Sequence, residues 1–589
     1  IWTTLLSLSQ GIIGTMGHFA IKENQGRPKR YYNRVVGTQL ILIVFSIWLC
    51  YKTVLSWNAS SNTPHHQETT PEPNQDNQFT LIEHLSRIIY LLPDEEETKA
   101  LLTPIQTTGE QRLHDYALRT RQYKTLLEAW EDLHILNNPT TKEQDPTINT
   151  ALPQTLLTRP SISQTLQTTP SSLLHTYESY HSTLTRLQSL LFPWTSPYYP
   201  SHLHHRHSLH HPPHSQQRRG LVFSAGTHQL PSLLTTIPAL RNLGCTLPIE
   251  IMYLGNEDLS PEARASLEAL PGVITRDIRL LVSDAGWELK GWAGKPFAVL
   301  LSSFREVIFI DADAVFLVDP SVLFEDGDYK RTGALFFRDR LIMPESKRAW
   351  LGSILPKPVS GLVRASTLWS GDSGNMQESG VLVIDTWRHF LALNFVCRMN
   401  GPDRDGDGWG VRGVYDMLFG DKETFWLGWE LVGDTDYAFH NGSVGTMGSV
   451  QSNGPTRMRD SQESTPVHSG SVEVPLPRRE QAVLNTRPKE YTICAPQLLH
   501  LDYSGRPLWF NGWLLQNKFA EAGSEQPGKF EAFVHEERGD GKDGSSWEIH
   551  PSNVCCLTAK KVSKFAEGEL KVLKMVVGIG RRVGAFGGN

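Results

Sequence analysis

A basic excess is missing from this chain. Its 589 residues carry 56 Lys and Arg against 62 Asp and Glu, a formal net charge of −6. Without the positive surplus of a nucleic-acid binder, a dedicated DNA or RNA role is disfavoured. Cysteine is scarce: six in a chain of this length cannot form a disulfide scaffold, although one or two bridges remain open. The hydrophobic fraction of 39% is too low for a bundle of membrane spans, yet enough for a packed core, so wholesale disorder is disfavoured too. At roughly 100–200 residues per domain, the length predicts about three to five structural units.

One long apolar run is present. Lys22, Arg27, Lys29, Arg30 and Arg34, opposed only by Glu23, precede VVGTQLILIVFSIWLCY, which is free of charge from Val35 to Tyr51. With VLSW beyond Lys52 the stretch reaches the ~20 residues needed to cross a hydrocarbon core. It is longer than the ~7–15-residue core of a secretory signal and lacks a small-residue cleavage site. We expect an uncleaved anchor at residues 35–57. The positive-inside rule then leaves residues 1–34 in the cytosol and the remainder in a lumen, as a single-pass type II membrane protein. Met16 is the expected natural start, and Ile21 stands where a myristoylation motif needs Ser or Thr. Asn58-Ala59-Ser60 and Asn441-Gly442-Ser443 are glycosylation sequons.

Residues 58–218 read as a lumenal stem. They open on a polar tether and continue with loosely helical apolar spacings (Leu81, Leu85, Ile88, Ile89, Leu92; then Leu113 to Leu136) broken by Thr/Pro/Gln-rich stretches. HLHHRHSLHHPPH, at 202–214, reads as a solvated linker with no element to fix a metal geometry. At Gly220 the texture changes. LVFSAG, IEIMYLG, EVIFIDADAVFL and GVLVID are short β-rich runs separated by helix-like segments, which predicts an α/β domain with a mainly parallel sheet. Ligands in such sheets bind at the carboxyl ends of the strands.

VIFI runs straight into Asp311-Ala312-Asp313. Two carboxylates at the end of a buried strand need a counter-charge, and a hard divalent cation, Mn²⁺ or Mg²⁺, would supply it and hold a diphosphate. Asp403-Arg404-Asp405-Gly406-Asp407-Gly408 imitates the start of a calcium loop, but Val414 stands at the twelfth position where the bidentate Glu belongs. Trp426 and Trp429 could stack on sugar faces or sit in a core.

The run GWAGKPFAVLLSSFREVIFIDADAVFLVDP, followed by QESGVLVID, GDKETFWLGWEL and QLLHLDYSGRPLWFNG, resembles the fungal α-1,3-mannosyltransferases of glycosyltransferase family 71 over about Arg219 to Lys518. The resemblance implies a GT-A fold, a GDP-mannose donor, Mn²⁺, a glycoprotein glycan acceptor, retention of the α configuration and a Golgi membrane setting. It makes Asp311 and Asp313 the D-x-D pair, and Ala225, Gly226 and Thr227 part of the first nucleotide-binding unit. His500 resembles the histidine of the C-terminal His-x-x-Gly-Lys-Pro-Trp element that completes the metal shell in related enzymes, with a longer spacing to Gly505. Arg506 and Lys295 become the cations for the diphosphate. Glu378, Asp421 and Glu423 fall on the acceptor side of the cleft as candidate catalytic carboxylates.

The expected division is therefore tail 1–34, anchor 35–57, stem 58–218, catalytic domain 219–530 and an extension 531–589 of unassigned role. D-x-D chemistry is blind to the base, so a UDP-sugar donor stays open, as does an inactive glycan-binding member of the fold. Protease added to sealed vesicles is expected to spare everything beyond residue 58. Digestion of that part without detergent would contradict the type II topology.

Overall fold

The apolar runs become strands because nearly every residue in them is buried on both faces, as in Ile249–Tyr253, Glu306–Ile310 and Gln377–Asp385. The computed structural model describes residues 75–136, 147–148, 151–195, 218–452, 490–517, 526–537, 545–551 and 554–586. The expected tail, the anchor at 35–57 and the histidine-rich run lie outside them. Among the described residues no helix is long and apolar enough to cross a membrane.

In chain order β1 (Arg219–Ser224), β2 (Ile249–Tyr253), β3 (Val273–Asp277), β4 (Glu306–Ile310), the short β5 (Val315–Phe316), β6 (Ala334–Arg338), β7 (Gln377–Asp385) and β8 (Ala438–Phe439) follow one another. All but β5 form a seven-stranded sheet in the order β8-β6-β7-β4-β1-β2-β3. Its neighbours are parallel except at β7, which runs antiparallel to both β4 and β6. The expected mainly parallel α/β sheet is thus present. The reversed strand has a consequence for the site: its amino end, Gln377-Glu378-Ser379, stands at the carboxyl end of β4, where the Asp311 amide donates to the Gly380 carbonyl at 2.8 Å.

Helices cover both faces. On one side α4 (Leu230–Asn242) places Leu233, Ile237 and Leu240 against Leu221, Phe223 and Ile308. On the other lie α5 (Gly294–Leu301), α6 (Phe390–Asn400) and α7 (Thr424–Leu431). They share their core with three helices that precede the sheet, α1 (Gln75–Leu91), α2 (Gly109–His134) and α3 (Pro170–Leu191).

The stem expected at 58–218 is therefore corrected wherever it is described. Leu113, Tyr116, Trp130, Leu187 and Trp194 belong to the same hydrophobic cluster as Phe297, Phe309 and Trp426. Arg121 of α2 donates to the carbonyls of Leu431 and Glu430 at 2.9 and 2.7 Å. The Arg398 guanidinium of α6 lies 3.4 Å above the Tyr116 ring, donates to the Leu191 carbonyl at 2.5 Å and pairs with Asp403 at 2.9 Å. The polar joints between these helices hid the fact that their apolar faces have a sheet-covering partner.

A second correction concerns the carboxyl end. Beyond β8 come β9 (Val444–Gly448), β10 (Gln451–Ser452), β11 (Tyr491–Ala495), β12 (Leu498–Leu501), β13 (Pro507–Asn511), β14 (Ala532–His535), β15 (Ser546–Ile549), β16 (Cys555–Ala559), β17 (Ser563–Lys564) and α8 (Glu567–Arg582). They build a six-stranded sheet, β17-β14-β9-β12-β13-β5, and a four-stranded one, β10-β11-β16-β15, in which Cys494 and Cys556 are disulfide-bonded. Residues 531–589 are no appendage, since β14 and β17 lie in one sheet with β5, the strand that follows Asp313. Leu573, Val576 and Ile579 of α8 pack with Ala239, Val315 and Phe510, while Lys571, Lys574, Arg581 and Arg582 face solvent.

Arg398→Ala removes the contact with the Tyr116 ring and orphans the Leu191 carbonyl, while Asp403 keeps Arg112 at 3.1 Å. The substitution is expected to lower unfolding free energy in denaturant titration by about 1–3 kcal/mol, and no measurable change would show that α6 does not depend on its contacts with α2 and α3.

Candidate active site

The centre of the site is the carboxyl end of β4. α5 is apolar throughout except for Lys295, which its second position points back toward that strand end. The Lys295 ammonium, 5% exposed, pairs with Asp311 at 3.0 Å and Asp421 at 3.1 Å and donates to the Ser379 hydroxyl at 3.2 Å. Ser379 in turn donates to Asp421 at 2.8 Å. Segments far apart in the chain are thus joined through one cation. Burial opposes charge on Lys295, but Asp311 and Asp421 outweigh it and raise its affinity for the proton. Asp311 is pushed up to about 7 by burial, with Asp313 and Asp421 acting in the same direction against Lys295. Asp311 and Asp421 share the Lys295 ammonium, and Asp313 adds its negative potential to Asp311.

Glu378 and Lys422 form a second charged set beside the first. Lys422 pairs with Asp339 at 2.7 Å and Glu378 at 3.0 Å. Glu378 also accepts from the Asn511 amide at 2.8 Å and the Gly380 amide at 2.9 Å. Burial disfavours its charge, yet Lys422, His500 and Asn511 prevail and hold it well below the usual carboxylate range. A carboxylate held this way is a poor base, and Glu378 both fixes Lys422 and Asn511 and lines the cleft they share.

The catalytic expectation for Glu423 is corrected. It is 1% exposed and accepts from the Met376 and Gln377 amides at 2.7 and 3.0 Å and from the Trp426 indole at 2.5 Å. It ties the start of α7 to the start of β7 and faces no open space. Burial pushes it up to about 7, against those three donors. Trp426 and Trp429 are fully buried, so the core alternative holds for both.

The remaining candidates divide. Ala225, Gly226 and Thr227 leave the carboxyl end of β1, and Thr227 bonds the Asp258 carbonyl at 2.7 Å. A Cβ on Gly226 would stand 2.4 Å from the Asp258 carboxylate, so only glycine fits. Gly505 and Arg506 lie in the β12–β13 turn, where Gly505 has φ +75 and Arg506 pairs with Glu569 of α8. Asn511, which touches Glu378, is at the other end of β13, so Arg506 is corrected from a diphosphate cation to a tie for the carboxyl-terminal helix. His500 is 2% exposed and stacked on Trp509 at 4.0 Å, and burial lowers it to about 3. Its Nε2 has no partner. Among the described residues no three His, Cys, Asp or Glu side chains stand together as a metal site, so the Asp311, Asp313 and His500 triad is not assembled here.

Sequence reasoning passed over several groups. Ser379 and Asp339 follow or open buried strands just as Asp311 does, and that signal was available in FFRDR and QESG. Asp339, Arg340, Asn375, Phe419, Lys422 and Asn511 line a cleft of ≈ 210 Å³, with Cys555 of β16 on its wall. No local pattern in the chain announces that grouping.

Carboxylate oxygens are the donors a hard divalent cation takes, and Asp311, whose side chain is 23% exposed, and Asp313 carry them at the end of β4. Residues 218–502 match a family model described as "Mannosyltransferase putative". The chain is 28% identical over 256 residues to "Putative alpha-1,3-mannosyltransferase MNN14" of Candida albicans, covering 39% of this chain and 36% of that one. It is 22% identical over 357 residues to "Alpha-1,3-mannosyltransferase MNT3" of Saccharomyces cerevisiae, covering 55% and 50%. The chain thus spans half or less of the length of these relatives. Among solved structures, core-mannan synthase A of Aspergillus fumigatus aligns with a TM-score of 0.25 and 12% identity, over 38% of this chain and 73% of that one.

The folded protein keeps the Glu423 proton up to about pH 7, whereas the unfolded chain releases it near 4.5. Between those values the folded state binds more protons, so stability falls as pH rises. Glu423→Gln is expected to flatten that fall, which amounts to at most about 3 kcal/mol, in denaturant titrations from pH 4 to 8. A slope unchanged by the substitution would contradict the assignment.

Proposed function

We propose that this chain, whose residues 218–502 belong to the fungal α-1,3-mannosyltransferase family, is a GT-A enzyme that moves mannose from GDP-mannose to a mannose-terminated glycan of glycoproteins with retention of the α configuration. The observation that carries this reading is the Lys295, Asp311, Asp421 and Ser379 cluster at the end of β4. A type II Golgi membrane setting accords with it through the anchor expected at 35–57.

Asp311 and Asp313 would hold a divalent cation such as Mn²⁺, which when bound offsets the charge of the diphosphate. Lys295 keeps Asp311 and Asp421 in place from the buried side and adds positive potential where the leaving group gains charge. The loop at Ala225, Gly226 and Thr227, tied to Asp258, offers a close backbone approach for the nucleotide. Asp421, joined to Ser379 and Lys295, orients the acceptor hydroxyl.

Retention requires either a carboxylate that attacks the anomeric carbon or attack from the face the diphosphate leaves. Glu378 and Glu423 have both oxygens committed to donors within the chain, and Asp421 has Oδ2 held by Lys295 and Ser379. This favours same-face attack: the acceptor oxygen bonds to C1 as the C1–O bond to the diphosphate breaks, and the departing phosphate oxygen takes the hydroxyl proton.

EDTA is expected to abolish transfer from GDP-mannose and Mn²⁺ to restore it, while Asp313→Ala loses about 10²–10³-fold in kcat with an unchanged melting curve. Full activity in that variant would remove the metal assignment. Proton NMR of the first product should show an α-mannoside, and a β-anomer would overturn the mechanism.

A further inference from the structure

The two tryptophans expected to meet sugar are buried, but two other large rings are not. Trp292 and Phe419 are each 61% exposed and lie against one another with ring centroids 6.1 Å apart and planes inclined by 37°. Phe419 is on the wall of the cleft described above, and Trp292 lies against Phe419. Trp292 precedes Lys295 by three residues and Phe419 precedes Asp421 by two, and those charges pair at 3.1 Å. Gly420, between Phe419 and Asp421, has φ +67, and a Cβ there would come within 2.9 Å of the Trp292 ring. Glycine is what lets the indole lie flat on this turn.

Phe419 also lines the cleft that contains Asp339, Arg340, Asn375, Lys422 and Asn511. At ≈ 210 Å³ this cleft is smaller than the ~300 Å³ at which drug-sized pockets begin, so it suits one sugar ring and leaves the next outside, on the rim. The cleft's cations are already paired, Lys422 with Asp339 and Glu378 and Arg340 beside Asp339 at 3.6 Å. No surplus positive charge is left there for a diphosphate. A pyranose, uncharged, with hydroxyls at its edge and C–H bonds on its face, matches hydrogen-bonding groups inside and aromatic rings at the rim.

We propose that Trp292 and Phe419 form a stacking platform for the second sugar of the acceptor, so that the chain selects an α-linked oligomannoside over a single mannose. The proposal rests on the mannosyltransferase reading for its substrate class. Trp292 and Phe419 are specificity-determining residues that touch the acceptor away from the bond being made.

The test compares methyl α-mannoside, α-mannobiose and α-mannotriose as acceptors for the full chain with GDP-mannose, in the unaltered protein and in Trp292→Ala and Phe419→Ala. The unaltered protein should favour the biose over the mannoside in kcat/KM by roughly ten-fold, the effect of one good stacking contact. Each substitution should erase that preference by raising KM for the biose and triose more than for methyl α-mannoside, with KM for GDP-mannose and the melting temperature unchanged. Trp292→Phe should restore most of the preference. Saturation-transfer NMR of α-mannobiose supplies a readout that needs no transfer: its reducing-end ring should receive magnetisation from the unaltered protein and lose it in both alanine variants. If GDP-mannose proves not to be the donor while this NMR difference persists, the donor reading fails and the platform stands. Equal treatment of mannoside and biose by the unaltered protein, or a rise in KM for GDP-mannose in place of that for acceptor, would overturn it.

Discussion

The ammonium of Lys295 lies between the carboxylates of Asp311 and Asp421 at 3.0 and 3.1 Å, and charges so withdrawn from water persist only where each has a partner. Three elements meet at this point: α5 carries the cation, the end of β4 one acid and the turn before α7 the other. The Ser379 hydroxyl brings in a fourth, the reversed strand β7. Removing any member would expose the others to unbalanced charge in a poorly solvated place. The site's geometry is therefore a property of the cluster and not of any one residue.

The same reasoning separates groups that can meet a substrate from groups that support the fold. Glu423 and Arg506 have the residue types of catalytic groups, but their polar atoms are used up by backbone amides and Trp426 and by Glu569. Asp311 differs: its side chain is 23% exposed and meets Lys295 from the buried side. A partly exposed carboxylate at a strand end is where a ligand cation or a substrate has something to add.

The outer parts of the chain belong to the same construction. α2 and α3 close the core beneath α6 and α7, and the carboxyl-terminal strands extend the sheet that begins at β5 and put Cys555 on the cleft wall. A stem on one side and an unassigned extension on the other are natural readings of composition, because polar joints and an amphipathic basic helix look alike whether or not something covers their apolar faces. The difference lies in partners that are hundreds of residues away, as Arg121 is from Leu431.

What was legible locally was the sheet and its signature. Continuous β-rich runs ending in acids specify strands buried on both faces, and an aspartate pair stands at the end of VIFI, since both follow from the chemistry of neighbouring residues. The family resemblance extended this to Lys295 and Asp421. Tertiary structure alone decided which of the polar candidates converge. The reversal of β7 beside β4 brings Ser379 and Glu378 to Asp311, the β12–β13 hairpin carries Arg506 away from Asn511 and toward Glu569, and packing buries Trp426 and Trp429 while leaving Trp292 and Phe419 in water. Strand direction, hairpin reach and burial are set by contacts between segments far apart in the chain, and the pattern within any one segment is the same whichever way those contacts fall.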